Sequence, residues 1–172
     1  MNIYLRKITF DDKEIIEDLK NEIEEYDSNF EGFNILKTLD NYNEFYNRVI
    51  ANETPTNREY SPQYTYLAFN ENNHLIGVAV LRPELKGELS NYGGNVGYLI
   101  RPSQRKKGYG NQILKASLKL LKEEYHINFV VLGCNVNNIA SSKVIQNNGG
   151  IYSNDFFESR DKQTYQKYTR NL

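Results

Sequence analysis

The segment Ile100-Arg101-Pro102-Ser103-Gln104-Arg105-Lys106-Lys107-Gly108-Tyr109-Gly110-Asn111 concentrates more chemistry than any other stretch of the chain. Four basic residues fall between Arg101 and Lys107, and Gly108 and Gly110 strip side chains from the turn that follows. If a helix begins there, its first turn leaves about four backbone N–H groups unpaired and carries a partial positive charge. Such a turn suits a phosphate or pyrophosphate. The plainer alternative is a solvated basic turn before an ordinary helix. The spacing matches neither G-x-x-x-x-G-K-[ST] nor G-x-G-x-x-G, which excludes the P-loop and the dinucleotide fingerprint. A second segment, Asn138-Ile139-Ala140-Ser141-Ser142-Lys143-Val144-Ile145-Gln146-Asn147-Asn148-Gly149-Gly150, sets an Asn where a short helix would need its N-cap and glycines where it would stop.

These segments need elements to position them. Ile3–Ile8 reads as a first strand. A helix over about Asp11–Tyr26 follows from Ile15, Ile16, Leu19 and Ile23 at helical spacing, and Leu39, Tyr42, Phe45, Tyr46 and Val49 make a second helical face. Tyr64–Phe69 and Leu75–Leu81 form a hairpin around Glu71-Asn72-Asn73. Val96–Ile100 is a strand, Gly108–Tyr125 a helix, and Asn128–Cys134 a strand whose apolar run implies burial on both faces. Ile139–Asn148 is a short helix, and Ile151–Phe157 and Thr164–Thr169 are the last strands. The expected fold is α/β (mixed): one domain over residues 1–172, a twisted mixed sheet flanked by helices, with a strand-loop-helix unit at its centre.

Composition sets limits. The 172 residues hold 21 Lys+Arg and 22 Asp+Glu, a net charge of −1, which argues against an electrostatic nucleic-acid binder. Hydrophobic residues make up 39% of the chain, enough for a core without staples. The longest apolar run, Leu75–Leu81, is far shorter than the ~20 residues of a membrane span. The N-terminal residues show no apolar leader run, and Cys134 is the single cysteine, so a reducing, cytoplasmic setting is expected. No metal is expected.

The spacing Arg105-x-x-Gly108-x-Gly110 after Ile100-Arg101-Pro102 resembles the acetyl-CoA loop of the GCN5-related N-acetyltransferases (the GNAT family). The Asn138–Gly150 segment resembles that family's Asn-x-x-[Ala/Ser]…Gly-Phe stretch, in the place the family puts it. Leu81-Arg82-Pro83-Glu84-Leu85, Tyr92-Gly93-Gly94-Asn95-Val96-Gly97-Tyr98 and Asn147-Asn148-Gly149-Gly150 are similar to one branch of predicted acetyltransferases, in which a His usually stands at the position of Asn95. The resemblance implies acetyl-CoA as co-substrate, held by Ile100, Arg101, Arg105, Lys106, Lys107, Gly108, Tyr109, Gly110, Asn138 and Ser141. It implies an oxyanion donor on the backbone near Leu99 or Ile100. Asn138 would bond the pantetheine arm.

The family's usual Tyr, seven residues after the Asn, is here Ile145. Tyr98 and Ser141, with Ser142 nearby, are the remaining hydroxyls for proton handling. Glu84, Glu88, His74 and His126 are the weighed bases; the histidines read as surface residues. Cys134 could accept an acetyl group covalently, although no activating His or carboxylate adjoins it in sequence. The acceptor is an unidentified amine of a small molecule or protein. Its pocket is expected from the segment Ser28–Pro62 and the Arg82–Gly94 loop, where Tyr26, Tyr42, Tyr46, Tyr60, Tyr92, Asp27, Glu31, Asp40, Glu44 and Glu59 would suit a cationic amine. The expected activity is direct acetyl transfer to an amine by a monomer or homodimer. The competing readings are a catalytically silent CoA-binding sensor or interaction module, and nucleic-acid binding through Arg101, Arg105, Lys106 and Lys107.

Overall fold

The structure, a computed structural model, describes residues 2–27, 30, 32–90, 94–159 and 162–172, with the side chain of Glu88 outside that set. Tyr92 and Gly93 of the resemblance motif, and Ser28 and Glu31 of the expected acceptor segment, therefore lie outside the described residues.

Strand β1 (Ile3–Lys7) leads through a 3-10 turn into helix α1 (Lys13–Tyr26), and a second 3-10 turn (Asn34–Thr38) precedes α2 (Tyr42–Ala51). The Asp12 carboxylate fixes the entry to α1: it accepts from Arg6 Nη1 and Nη2 at 2.9 and 2.7 Å and from the Thr9 N–H at 2.6 Å. Strands β2 (Tyr64–Asn70), β3 (Leu75–Leu81) and β4 (Val96–Ile100) complete an antiparallel sheet in the order β1-β2-β3-β4. Helix α3 (Tyr109–Glu123) crosses to β5 (Phe129–Asn135), α4 (Ile139–Asn147) follows, and β6 (Ile151–Glu158) and β7 (Gln163–Asn171) make a second antiparallel sheet in the order β5-β7-β6.

The core is divided by the first sheet. On one face, Ile16, Leu19 and Ile23 of α1 and Phe45 and Val49 of α2 pack on Leu67, Val78, Val80 and Leu99. On the other, Ile113, Leu114, Leu118 and Leu121 of α3 pack on Ala68, Ile76, Ala79, Val130 and Leu132. Each of the Leu, Ile, Val and Phe side chains contributes roughly 1.5–3 kcal/mol on burial.

The expected single mixed sheet is split in two. β4 and β5 leave a common point and diverge. Asn95, just before β4, is the pin. Its backbone N–H donates to the Val131 carbonyl at 2.7 Å, and its side-chain oxygen accepts from the Val131 N–H at 2.7 Å. Its Nδ2 donates to the Arg82 carbonyl at 2.7 Å, while the Arg82 N–H donates to the Asn95 carbonyl at 2.8 Å. Gly94 makes the close approach possible: at φ +71° a Cβ would stand 2.9 Å from the Val131 oxygen. The departure from His at position 95 is thus a feature of sheet architecture. Neutral His also offers one ring N–H donor and one ring acceptor, the minimum the Asn95 side chain supplies here.

Asn95→Ala should leave the Val131 N–H and the Arg82 carbonyl without these partners and destabilise the fold by about 2–4 kcal/mol. Asn95→His should recover part of that loss. Equilibrium urea denaturation of the three proteins measures both; equal stability of Asn95→Ala and the parent would show that the pin is dispensable.

Candidate functional site

The divergence of β4 and β5 opens a cavity of about 820 Å³ between their C-terminal ends. Tyr98, Leu99 and Ile100 line it from β4, Asn135, Asn137 and Asn138 from the end of β5, and Ala140, Ser141 and Val144 from α4. Gln104, Arg105, Lys106, Gly108, Tyr109, Gly110 and Asn111 enclose it from the loop and the start of α3. Gly108 adopts φ +81° at the N-cap of α3, and a Cβ there would meet nothing within 4 Å. The backbone at the helix start therefore stands open to the cavity, as a bulky anion would require.

The basic run separates into different roles. Arg105, Lys106, Gly108, Tyr109 and Gly110 line the cavity together with Ile100. Arg101 and Lys107, assigned to the cofactor from sequence, do not. Arg101 turns to α1, pairing with Asp18 and Glu22, and Lys107 donates to Gln104 at 3.1 Å. A run of charges in sequence does not reveal which side of a turn each one leaves. Even Arg105 is committed within the protein, to Asp27 at 2.7 Å and the Ile100 carbonyl at 3.1 Å. Glu22 also accepts from the Ser103 N–H at 2.6 Å. Burial pushes its carboxyl up, but the Ser103 and Arg101 bonds outweigh that and hold it below the usual range.

The backbone of β4 presents itself by alternation. Its antiparallel register pairs Leu99 with Val78 and Gly97 with Val80. The flanking bonds Arg82 N–H to Asn95 and Arg101 N–H to Ile76 fix these as the hydrogen-bonded pairs. The Leu99 N–H is thereby turned to β3. The N–H groups of Tyr98 and Ile100 face the diverging side, where the Ile100 carbonyl meets Arg105.

Two hydroxyls meet in the cleft: Tyr98 Oη donates to Ser141 Oγ at 3.2 Å. Burial raises the Tyr98 phenol above its ordinary value, although the bond to Ser141 opposes the shift. Asn138 caps α4 by accepting the Ser141 N–H at 3.0 Å. Ser142 looks elsewhere, 2.8 Å from the Tyr168 hydroxyl. Ile145 is buried in the core and lines neither cavity, so a Tyr placed there would overpack the core rather than reach the cleft.

A second cavity of about 600 Å³ meets the first at Tyr98, Asn135, Asn138 and Ser141. Gly32, Phe33, Asn34, Ile35, Lys37, Asn52, Arg82 and Leu89 contribute to its wall, so the expected segments do line it. The expected acids do not. Among the described residues Asp27 belongs to the first cavity, and Asp40, Glu44 and Glu59 border neither. Of the expected aromatics, Tyr26, Tyr42, Tyr46 and Tyr60 border neither; Tyr42 and Tyr46 pack around Phe10 instead. Glu84 is exposed and pairs with Lys86, and His74 and His126 are exposed and line no cavity. Cys134 is buried and contributes to the wall of the second cavity.

Sequence reasoning missed Arg82 as a site residue. Its guanidinium lies against Gly97, and burial lowers its pKa to about 10. The available signal was a charge set directly after seven apolar residues, Leu75–Leu81.

Comparison with known proteins agrees with this architecture. The family model described as acetyltransferase (GNAT) domain matches residues 2–151. The chain belongs to the GNAT acetyltransferase family, enzymes that use acetyl-CoA as co-substrate. Among solved structures, it is similar to RimL, a ribosomal L7/L12 α-N-protein acetyltransferase in complex with coenzyme A, at 20% identity and TM-score 0.72, covering 100% of this chain and 95% of that one. An acetyltransferase that modifies the N-terminal serine of L7/L12 from Salmonella typhimurium matches at 16% identity and TM-score 0.70, over 100% and 96%. A variant of the spermidine N-acetyltransferase SpeG from Vibrio cholerae matches at 15% identity and TM-score 0.67, over 99% and 94%. A search of curated proteins gives no match. No helix among the described residues is long and apolar enough to cross a membrane.

Glu22→Gln should loosen the loop from α1 and cost about 1 kcal/mol at pH 7. Because the folded carboxyl titrates below its ordinary value, the wild-type advantage is complete above about pH 4.5 and shrinks as pH falls through the folded pKa. Thermal melts of both proteins from pH 7 to 3 should converge at the acid end.

Proposed function

We propose that the protein is an acetyl-CoA-dependent N-acetyltransferase that transfers the acetyl group directly from the thioester to an amine held in the second cavity. The observation that carries this reading is the junction of two cavities at Tyr98, Asn135, Asn138 and Ser141. One cavity is edged by an open helix start, the other by the α1–α2 connection, so thioester and amine can meet at the gap.

In this reading Gly108, Tyr109 and Gly110 offer backbone amides to the CoA pyrophosphate, with Arg105 and Lys106 beside them. Asn138 serves twice: its side-chain oxygen caps α4, and its Nδ2 remains to meet the pantetheine arm. The oxyanion is received by an N–H on the diverging edge of β4, that of Ile100 or Tyr98, since the ladder takes that of Leu99. Holding acyl group and amine together supplies the proximity term. The amine attacks the thioester carbon as a neutral base, the carbon–sulfur bond breaks, and the thiolate leaves. The nitrogen releases a proton to water as the amide forms, and Tyr98, buried and neutral, with Ser141 beside it, gives its proton to the sulfur and takes one back from water. Covalent transfer through Cys134 is not invoked; Cys134→Ala should keep most activity and intersecting initial-rate lines. The whole chain acts as one domain, a monomer or homodimer, in a reducing, cytoplasmic compartment.

Thioester consumption with a panel of amines tests the activity against the silent-module reading. Coenzyme A binding without turnover of any amine would favour the module. Gly108→Val should weaken coenzyme A binding by calorimetry at least about 10-fold, or 1.4 kcal/mol, because the side chain would occupy the anion's approach; unchanged affinity in a folded variant removes the loop assignment. The raised Tyr98 phenol keeps its proton beyond its ordinary pKa of 10.0, so the rate should climb with pH through amine deprotonation and show no falling limb up to about pH 10. Tyr98→Phe should lower kcat by roughly 10²-fold or more while leaving coenzyme A affinity close to that of the parent.

A further inference from the structure

The cavity assigned to the amine contains a cation where a polyamine site would need anions. Arg82 follows β3 and lies against β4, where Gly97 leaves room for it: a Cβ on Gly97 would stand 3.4 and 3.7 Å from its Nη1 and Nη2. Among the described residues, the buried Arg82 Nε has no hydrogen-bond partner. The side-chain bond Arg82 makes among them is long, from Nη1 to the Gly94 carbonyl at 3.4 Å. Among the described residues no carboxylate pairs with it, and no Asp or Glu lines the second cavity, whereas Lys37 does. Burying a cation without a counter-charge is costly, and a guanidinium left with open donors is costlier. A ligand oxyanion would complete such a group. The planar fork of arginine matches the two oxygens of a carboxylate or the edge of a phosphate.

We infer that the acceptor is a small amine that also carries an oxyanion, carboxylate or phosphate, bound by Arg82. The inference rests on the acetyl-transfer reading of the same site. Arg82 and the junction residues Tyr98, Asn135, Asn138 and Ser141 line one cavity of about 600 Å³, so a single small molecule can reach both the guanidinium and the junction. An amino acid or an aminoalkyl phosphate, with amine and oxyanion at opposite ends, is a molecule of that kind. Spermidine, whose far end is cationic, would face Arg82 and Lys37.

The test measures thiol release with L-amino acids, their carboxamides, 2-aminoethyl phosphate, ethanolamine and spermidine. The best anionic acceptor should exceed its neutral counterpart in kcat/KM by at least about 10-fold, with spermidine lowest. Amino acids leading would assign the carboxylate, and 2-aminoethyl phosphate leading would assign the phosphate. Arg82→Met should bring the ratio to near one and raise Tm, because it removes a buried charge that no carboxylate among the described residues pairs; a structural arginine would instead lose Tm on truncation. Arg82→Lys, which keeps the charge and loses the fork, should retain part of the preference and serves if the Met variant does not fold. Preference for neutral or polyamine acceptors, or an unchanged ratio in Arg82→Met or Arg82→Lys, overturns the inference while leaving acetyl transfer intact. If no amine turns over, the transfer reading fails, and binding decides the inference. N-acetylglycine or 2-aminoethyl phosphate should then raise the wild-type Tm more than N-acetylglycinamide or ethanolamine, and equal shifts in both pairs overturn it.

Discussion

Everything functional in this fold depends on a separation that a single buried amide controls. Asn95 joins β4 to β5 at one point and bonds Arg82 at the same time, so the two strands start together and then part. The junction joins the two sheets by hydrogen bonds, and the packing of α3 across both then fixes their angle. With pairing continued along β4, the N–H groups of Tyr98 and Ile100 would be consumed by β5 and no cleft would form. Four hydrogen bonds at Asn95 thus decide both that the gap exists and which backbone groups face it. The amide suits the position because it donates and accepts from one side chain and remains uncharged in a buried place.

The second constraint is electrostatic. The loop between β4 and α3 would repel itself if its basic residues all faced one way. Instead α1 and its C-terminal end supply Asp18, Glu22 and Asp27, which take up Arg101 and Arg105 and seat the loop against the first sheet's helical layer. In the proposed site, attraction for the anion would then be left to Lys106, the partly engaged Arg105 and the backbone amides at the start of α3. A helix start reads geometry as well as charge, because its amides are fixed in direction. That division suits a ligand that must be released after each turnover.

Element positions were legible because each carries a local period. Val96–Ile100, Leu75–Leu81 and Ile139–Asn147 fall where apolar spacing, Pro102 and Asn138 put them. The Gly108 turn was legible for the same reason: its conformation is written in one residue. Partner choice is not local. Arg101 sits in the same charge run as Lys106, yet one faces α1 and the other the cavity, and only the packing of α1 separates them. The acids near the α1–α2 connection were assigned to the acceptor on composition, and composition does not say which face of a helix borders a cavity. The split between β4 and β5 was invisible as well, since a mixed sheet and a divided one share the same strand pattern.

The alternation of β4 finally shows how one short strand would serve both ligands of the proposed reaction. Leu99 belongs to the core on the α1–α2 side, whereas Tyr98 and Ile100 pack toward α3. Gly97 shares the face of Leu99, and its missing side chain admits the Arg82 guanidinium there. Successive residues of a strand point to opposite faces. Position 97 therefore faces the second cavity, and position 98 carries the hydroxyl that meets Ser141 where the two cavities join. In the proposed site the anion seat and the proton donor would stand on opposite faces of β4, with the N–H groups of Tyr98 and Ile100 at the open edge between the faces. A proton donor on α4, at the position of Ile145, would have needed room that the core has filled. In the proposed reaction, a hydroxyl on β4 instead would tie proton return to the same backbone that would receive the oxyanion, so one rigid element would hold both groups in register.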